Sequence, residues 1–478
     1  MSVKYETVIG LEVHVQLATK TKIFCGCSTL FGAEPNTQVC PVCLGQPGVL
    51  PVFNRRVFEY AIKVALALGC EIQKTVKFDR KNYYYPDLPK NYQISQYDMP
   101  LAYNGKITIT DESGKAVDIG ITRAHLEEDA GKLIHDEHHP FSYVDLNRTG
   151  TPLLEIVSEP DLRSPEQAYE YLVQLKQIIK YLGVSDCNME EGSLRCDANI
   201  SVREKGAGDL GSKVEIKNLN SFKAVRDALA FERDRQIDLV GENQKIAQET
   251  RLWDEVKGVT VSMRTKEEAQ DYRYFPEPDL VPFEVDRRTI DRIRGTMPEM
   301  PGEKRERFIS RYGLDARDVD VLISERPFAD LFEEVVAAYD DPRAVCNWVR
   351  TEIMMHMKER GTDIKGLGIK PGDLAQIIKM AKEGDISGLA AKEVLSAYID
   401  TGKPPGEIVR EKGLEQVSDE GELGSVIDKV IAANERSVSD YKKGKANALS
   451  FLVGQVMRET KGKANPKLAG EMLRKKLS

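Results

Sequence analysis

The sequence predicts an α+β fold followed by helices alone, on three observations. From residue 1 to about 290 short strand-like runs alternate with a few helical ones, and from about 295 onward nearly every periodic segment repeats at helical spacing. The two regimes meet at Arg294-Gly295-Thr296-Met297-Pro298-Glu299-Met300-Pro301-Gly302, whose prolines and glycines suit a linker. A chain of 478 residues also exceeds one ordinary core, so three domains are expected, 1–294, 295–403 and 404–478. The second boundary falls at Thr401-Gly402-Lys403-Pro404-Pro405-Gly406.

The first clear strand runs from Gly10 to Leu17, where strict alternation puts Glu12, His14 and Gln16 on one face and Leu11, Val13, Val15 and Leu17 on the other. The apolar face suits burial. The opposite face presents a carboxylate beside an imidazole, which suits a divalent cation or, alternatively, a plain ion pair on a solvated sheet. Next come Cys25-Gly26-Cys27 and Cys40-Pro41-Val42-Cys43, two thiol pairs twelve residues apart with the spacing of a four-thiolate zinc site. Unliganded thiols are the alternative; a four-thiolate site would be structural, with no open coordination position. Asn54 to Leu68 reads as a helix ended by Gly69, Ser164-Pro165-Glu166 opens a second that Gly183 closes, and Ser221 caps a third running to about Val240. Lys106–Thr110 and Asn199–Arg203 read as strands between them, which is α+β order rather than a regular βαβ repeat.

Composition narrows the class. With no run of 18 or more apolar residues, a soluble globular protein without a membrane span is expected. Met1-Ser2-Val3-Lys4-Tyr5-Glu6 shows no signal or transit pattern, which predicts a cytoplasmic protein, and there eight cysteines favour metal or free thiols over disulfides. A net charge of −8 argues against indiscriminate coating of nucleic acid and leaves room for a local basic patch. Gly206, Gly208 and Gly211 match G-x-G-x-x-G but lie between two strand-like runs, so a hairpin loop is expected there rather than a pyrophosphate-binding turn. No P-loop motif occurs either.

Further along, chemistry-bearing residues cluster. Phe78 to Asp87 crowds Arg80, Lys81 and three tyrosines together; Lys81 is either a movable charge for an anionic transition state or a solvated cation. Arg123 to Gly131 carries Glu127, Glu128 and Asp129 in a row, costly unless a metal or cations neutralise them, or else a solvated turn. Glu155, Glu190, Asp197 and Glu215 add carboxylates, and oxygen-rich groups with one imidazole favour magnesium or manganese and, through the ion, nucleotide phosphates. Asp271 to Asp279 reads as an extended wall in which Arg273 is a candidate ligand contact. Tyr441–Lys445, Lys461–Lys467 and Arg474-Lys475-Lys476 are basic against an acidic whole, either a phosphate-binding face of a small helical module or solvated helix surface.

The runs Val8–Val15, Asp79–Asp87, Thr122–Gly131, Asp145–Leu153, Met189–Ser201, Lys217–Phe222, Asp271–Asp279 and Phe451–Gln455 together resemble the GatB family, the B subunits of the glutamyl-tRNA(Gln)/aspartyl-tRNA(Asn) amidotransferases. The likeness spans nearly the whole chain. It implies a cradle-shaped α+β catalytic domain, an all-helical domain and a small helical tail domain that contacts tRNA. It implies that ATP phosphorylates the side-chain carboxylate of misacylated Glu-tRNA(Gln) or Asp-tRNA(Asn), and that ammonia then displaces the phosphate. A partner glutaminase/amidase subunit makes the ammonia from glutamine and passes it through a channel, and a small third subunit ties the assembly together. By resemblance Glu12, His14 and Glu128 match the magnesium-site motifs, and Glu155, Glu190, Asp197 and Glu215 match further acidic positions of the cradle. Lys81, Arg148 and Ser193 are expected beside the ATP or acyl phosphate, and the four cysteines hold zinc as a structural option of this branch. Two rivals remain. An archaeal-type relative specific for Glu-tRNA(Gln) usually carries a large inserted domain, for which the spacing leaves no room. A non-catalytic tRNA-binding adaptor would gain nothing from clustered carboxylates beside a polyanion.

Overall fold

The alternating run near the start of the chain becomes β1 (Tyr5–Gln16), the central strand of a nine-stranded sheet. The computed structural model describes residues 4–136, 139–265, 271–416, 420–443, 445–460 and 464–477. The other strands of this sheet are β2 (Glu71–Ile72), β3 (Ala102–Thr110), β4 (Ala116–Glu128), β5 (Pro152–Ser158), β6 (Leu194–Glu204), β7 (Val214–Lys217), β8 (Glu249–Asp254) and β9 (Val259–Thr265). Their order is β9-β8-β7-β6-β1-β5-β4-β3-β2. Every pairing is antiparallel except that of β7 with β8.

An antiparallel sheet can bury one face and leave the other polar, and β1 does so. Leu11, Val13 and Val15 are buried, while Glu12, His14 and Gln16 are only partly covered. Three helices, α1 (Arg55–Ala67), α2 (Pro165–Leu182) and α3 (Phe222–Gly241), contribute Ala61, Leu172 and Val225 among others to the same core as Ile9, Leu11, Val13 and Val15 of β1. Each starts at the cap expected from its sequence. Asn54 accepts from the Arg56 N–H, Ser164 from the Gln167 N–H and Ser221 from the Ala224 N–H, with Pro165 in the first turn of α2. Gly206, Gly208 and Gly211 occupy the loop between antiparallel β6 and β7, as their strand-like flanks predict. A Cβ on Gly211 would stand 2.3 Å from the Val202 carbonyl oxygen, so the bare backbone there serves the hairpin. The helix α4 (Arg287–Arg294) follows the sheet and packs on α1.

The chain divides into two compact units, Met1–Met300 and Pro301–Ser478. The second unit is helical: α5 (Pro301–Tyr312), α6 (Ala316–Leu322), α7 (Arg326–Ala338), α8 (Pro342–Trp348), α9 (Met354–Arg360), α10 (Pro371–Glu383), α11 (Gly388–Thr401), α12 (Pro405–Lys412), α13 (Glu420–Ala433), α14 (Glu435–Lys442), α15 (Ala446–Glu459) and α16 (Pro466–Leu477). A π-helical turn, Val349–Ile353, joins α8 to α9. The short α12 packs on α10 and α11, and Leu423, Ile427, Leu452, Val456 and Leu473 from α13, α15 and α16 form a small core of their own. Of the basic tail residues, Lys461 and Lys463 lie outside the described residues. Among the described residues no helix is long and apolar enough to cross a membrane.

Where β3 meets the end of α1, the Lys106 N–H donates to the Leu68 carbonyl at 2.9 Å, and a Cβ on Gly105 would fall 2.3 Å from Cys70 Sγ and 2.9 Å from that carbonyl. Gly105→Ala is therefore expected to destabilise the first unit by about 1–3 kcal/mol through overpacking. Chemical denaturation of the two proteins measures it, and coincident transitions would mean that the helix end has slack.

Candidate functional site

Strand register turns separate sequence motifs into one polar surface. Across β4, β5, β1 and β6, His125 stands opposite Glu155, Glu155 opposite His14, and His14 opposite Arg195. These residues share the face turned away from Val13 and Val15, because side chains alternate along each strand. Glu127 lies two residues beyond His125 on β4 and joins them. His14 Nε2 is 3.4 Å from Glu127 Oε1 and 3.4 Å from Glu155 Oε2, and His125 Nε2 is 3.3 Å from the same Glu155 oxygen. Ligand atoms of His14, Glu127 and Glu155 all lie within 4.8 Å of one another. Among the described residues, the buried His125 Nδ1 and Asn199 Oδ1 have no hydrogen-bond partner, so the surface keeps unused polar capacity. One imidazole and two carboxylates fit a hard divalent cation.

The electrostatics follow from this crowding. Burial opposes a charged imidazole, but the hydrogen bond to Glu155 and the charges of Glu127 and Glu155 outweigh both burial and Arg195 and raise His14 to about 9. Burial likewise resists ionisation of Glu155, yet His125 and His14 hold its carboxyl well below the usual range. Lys81 lies on the strand Asp79–Asn82, whose neighbours are Tyr92–Ser95 and Phe275–Pro276. Its ammonium is 4.8 Å from the centre of the Tyr272 ring. Although burial works against that charge, Glu127, the Tyr274 and Tyr272 phenols and Glu155 keep Lys81 above the ordinary lysine value.

The remaining residues singled out from sequence fall into separate groups. Glu12 faces Asp197 across β1 and β6 and accepts from Asn199 Nδ2 at 2.8 Å. Asp197 and Glu215 share the Lys217 ammonium, and Glu215 also accepts from the Thr250 hydroxyl at 2.9 Å. Glu128 is not in the His14 group: it is buried, paired with Lys90, and accepts the Ile94 N–H at 2.8 Å. Asp129 is held by Arg195 at 2.9 Å and by Gln16 Nε2 at 2.8 Å. Arg148 donates to the carbonyls of Ala130 at 3.0 Å and Gly131 at 2.6 Å. The Ser193 carbonyl accepts the Gln16 N–H at 2.8 Å, and Glu190 lies exposed in the turn before β6. Motif reading misses Glu127 and His125 as individual ligands. The signal that finds them is the alternation applied to β1, which on β4 puts residues 125 and 127 together and residue 128 opposite.

The four cysteines form a second cluster. Their Sγ atoms all lie within 4.8 Å of one another, and none is in a disulfide. Cys40 and Cys43 Sγ are 3.9 Å apart, close to the ~3.8 Å expected for ligands at about 2.3 Å from a tetrahedral centre. The Cys25 thiol, the Cys40 backbone N–H and Lys22 hold Cys43 down at about 4 against the effect of burial. Such a donor set can hold one thiophilic metal ion.

The His14 shift has a definite sign. Its folded value lies above the unfolded one, so its ion pairs stabilise the metal-free fold below about pH 6.5, and that stability is lost as pH rises through about 9. In chelator, the native chain should lose up to about 3 kcal/mol relative to a His14→Gln variant over that window. Denaturant melts at each pH measure the difference, and parallel profiles would rule it out.

A family model described as the GatB/GatE catalytic domain matches residues 7–291, and one described as the GatB domain matches residues 330–477. The chain is 57% identical over 478 residues to the B subunit of the aspartyl/glutamyl-tRNA(Asn/Gln) amidotransferase of Carboxydothermus hydrogenoformans, covering 99% of each chain. It is 58% identical over 475 residues to the protein of that name from Caldanaerobacter subterraneus subsp. tengcongensis, covering 99% of this chain and all of the relative. With both family models matched and the relatives covered end to end, this chain belongs to the GatB family, the B subunits of the aspartyl/glutamyl-tRNA(Asn/Gln) amidotransferases.

Proposed function

We propose that this chain amidates misacylated Glu-tRNA(Gln), Asp-tRNA(Asn) or both, using ATP and ammonia supplied by a partner glutaminase/amidase subunit, in a complex that also contains a small third subunit. The observation that carries this reading is the group formed by His14, Glu127, Glu155 and the Lys81 cation inside the region matched by the catalytic-domain model. The side-chain carboxylate of the aminoacyl group attacks the γ-phosphorus of ATP, forming an acyl phosphate as the bond to ADP breaks. Ammonia then attacks the acyl carbon, and inorganic phosphate leaves.

The first step brings two anions together, so positive charge must lie between them. A bound magnesium ion would screen them and polarise the phosphoryl oxygens. His14, Glu127 and Glu155 would hold it, with Glu12 flanking on the same strand; Glu128 would first have to leave Lys90. Lys81 faces the transferring phosphoryl group, and Arg148 and Ser193 border the nucleotide from the edge of the face. Asp197 and Glu215 already hold one ammonium, that of Lys217. They are therefore suited to receive the incoming ammonium, and a carboxylate takes its proton before attack. Glu190, exposed at the rim, faces the substrate side. The four cysteines hold zinc as a staple, and the basic helices of residues 404–478 bind the tRNA backbone.

In the reconstituted complex with misacylated tRNA, Glu12→Ala and His14→Ala should each lower amidation at least ~100-fold while leaving tRNA affinity largely intact. Normal turnover in both variants would sink the assignment of phosphorylation to this surface, as an adaptor role requires. Removing residues from 420 onward, which keeps α12 with α10 and α11, should weaken tRNA affinity and flatten its salt dependence. Equal affinity and salt slope in the truncated complex would make the basic helices ordinary surface.

A further inference from the structure

Lys22 is fully buried, with 0% of its surface exposed. Its ammonium donates to the Gln38 carbonyl at 2.7 Å and stands 3.6 Å from Cys43 Sγ. Among the described residues no carboxylate comes within 4.0 Å of it. A buried ammonium facing one carbonyl is costly, and a Leu or Met stem would fill the same volume without that cost. An anion must therefore justify the charge, and the group in reach is the cysteine cluster.

The placement is enforced by backbone. The Lys22 N–H donates to the Cys27 carbonyl at 2.9 Å, and the Ile23 N–H to the Gly150 carbonyl at 2.9 Å, so the chain is pinned just ahead of Cys25 as well as behind it. Gly150 holds a φ of +82°, and a Cβ there would lie 3.4 Å from Lys22 Cδ and 3.6 Å from Cys43 Cβ, so the Gly150 backbone borders the lysine stem beside the Cys43 side chain. Cys43 Sγ also receives the Cys40 N–H at 3.2 Å, so two donors converge on one sulfur.

We propose that Lys22 is the counter-ion of the four-thiolate metal site, a positioning residue that offsets part of the charge of the loaded cluster and orients the Cys43 thiolate. The inference rests on the zinc reading given above. A divalent ion with four thiolates carries a net charge of −2, and a single buried ammonium halves it. Without the metal the ammonium keeps only the Gln38 carbonyl and the Cys43 sulfur as partners, so its contribution to stability is smaller in the empty state than in the loaded one. A residue that merely packs would act alike in both.

The test uses the full chain as wild type, Lys22→Met and Lys22→Gln, with zinc alone as probe. Competition against a chromophoric chelator should show zinc binding about 10- to 100-fold weaker in both variants, the usual cost of removing an outer-sphere partner. Lys22→Met should lose less melting temperature relative to wild type without zinc than with it, so its zinc-induced rise should be smaller. Wild-type affinity in the variants, or equal melting losses with and without zinc, would overturn the counter-ion role while leaving the zinc site standing. Failure of the wild type itself to bind zinc would overturn the metal reading and this inference with it. Lys22→Gln retains a donor for Gln38, so it decides the question if Lys22→Met does not fold.

Discussion

Everything in the first unit depends on one constraint: β1 must keep a single face dry. Val13 and Val15 are fully buried beneath the helices, and a slip of one residue would turn His14 into that core and expose the valines to the polar surface. The apolar contacts that stabilise the sheet therefore also fix the polar face. Because β1 is the central strand, its register sets those of β5 and β6 directly and that of β4 through β5. The positions of Glu155, Arg195, His125 and Glu127 relative to His14 are then consequences of hydrogen-bond pairing rather than of separate loop conformations.

A second theme is that the acids of this surface are matched by the protein's own cations. Asp129 has Arg195, Glu128 has Lys90, and Asp197 and Glu215 share Lys217. Among the described residues Glu12 has the Asn199 amide in place of a cation, and the pair Glu127 and Glu155 has two imidazoles and the ammonium of Lys81 as neighbours. Imidazole can surrender its proton to make room for a metal ion, whereas lysine and arginine cannot do so at neutral pH. The face thus concentrates its exchangeable charge at one place.

Much of the fold was legible in the sequence because it is written in local rules. The caps Asn54, Ser164 and Ser221 start their helices, the alternation of Glu12, His14 and Gln16 sorts β1, and the hairpin context of Gly206–Gly211 overrides its resemblance to a nucleotide loop. What was not legible depends on register between distant strands. The run at residues 127–129 looks like three equivalent acids, but its strand geometry sends Glu127 toward His14 and Glu128 toward Lys90. Gln16 had no visible partner until β4 and the turn after it brought Asp129 alongside. Nothing local marks Lys22 as buried, since lysines are ordinarily exposed and its enclosure comes from Gly150 and the second cysteine pair.

The central place of β1 has a consequence for how the protein is made. The strand is synthesised well ahead of its partners β5 and β6, the latter ending at Glu204. At the usual 5–20 residues per second, β1 leaves the ribosome roughly 10–40 s before its second edge can be covered. During that interval it is a twelve-residue strand with one apolar face and unpaired edges, the kind of segment that invites association with other chains. The face that later assembles the site is polar from the start, so Glu12, His14 and Gln16 make one side of the waiting strand unlike the apolar face that association would use.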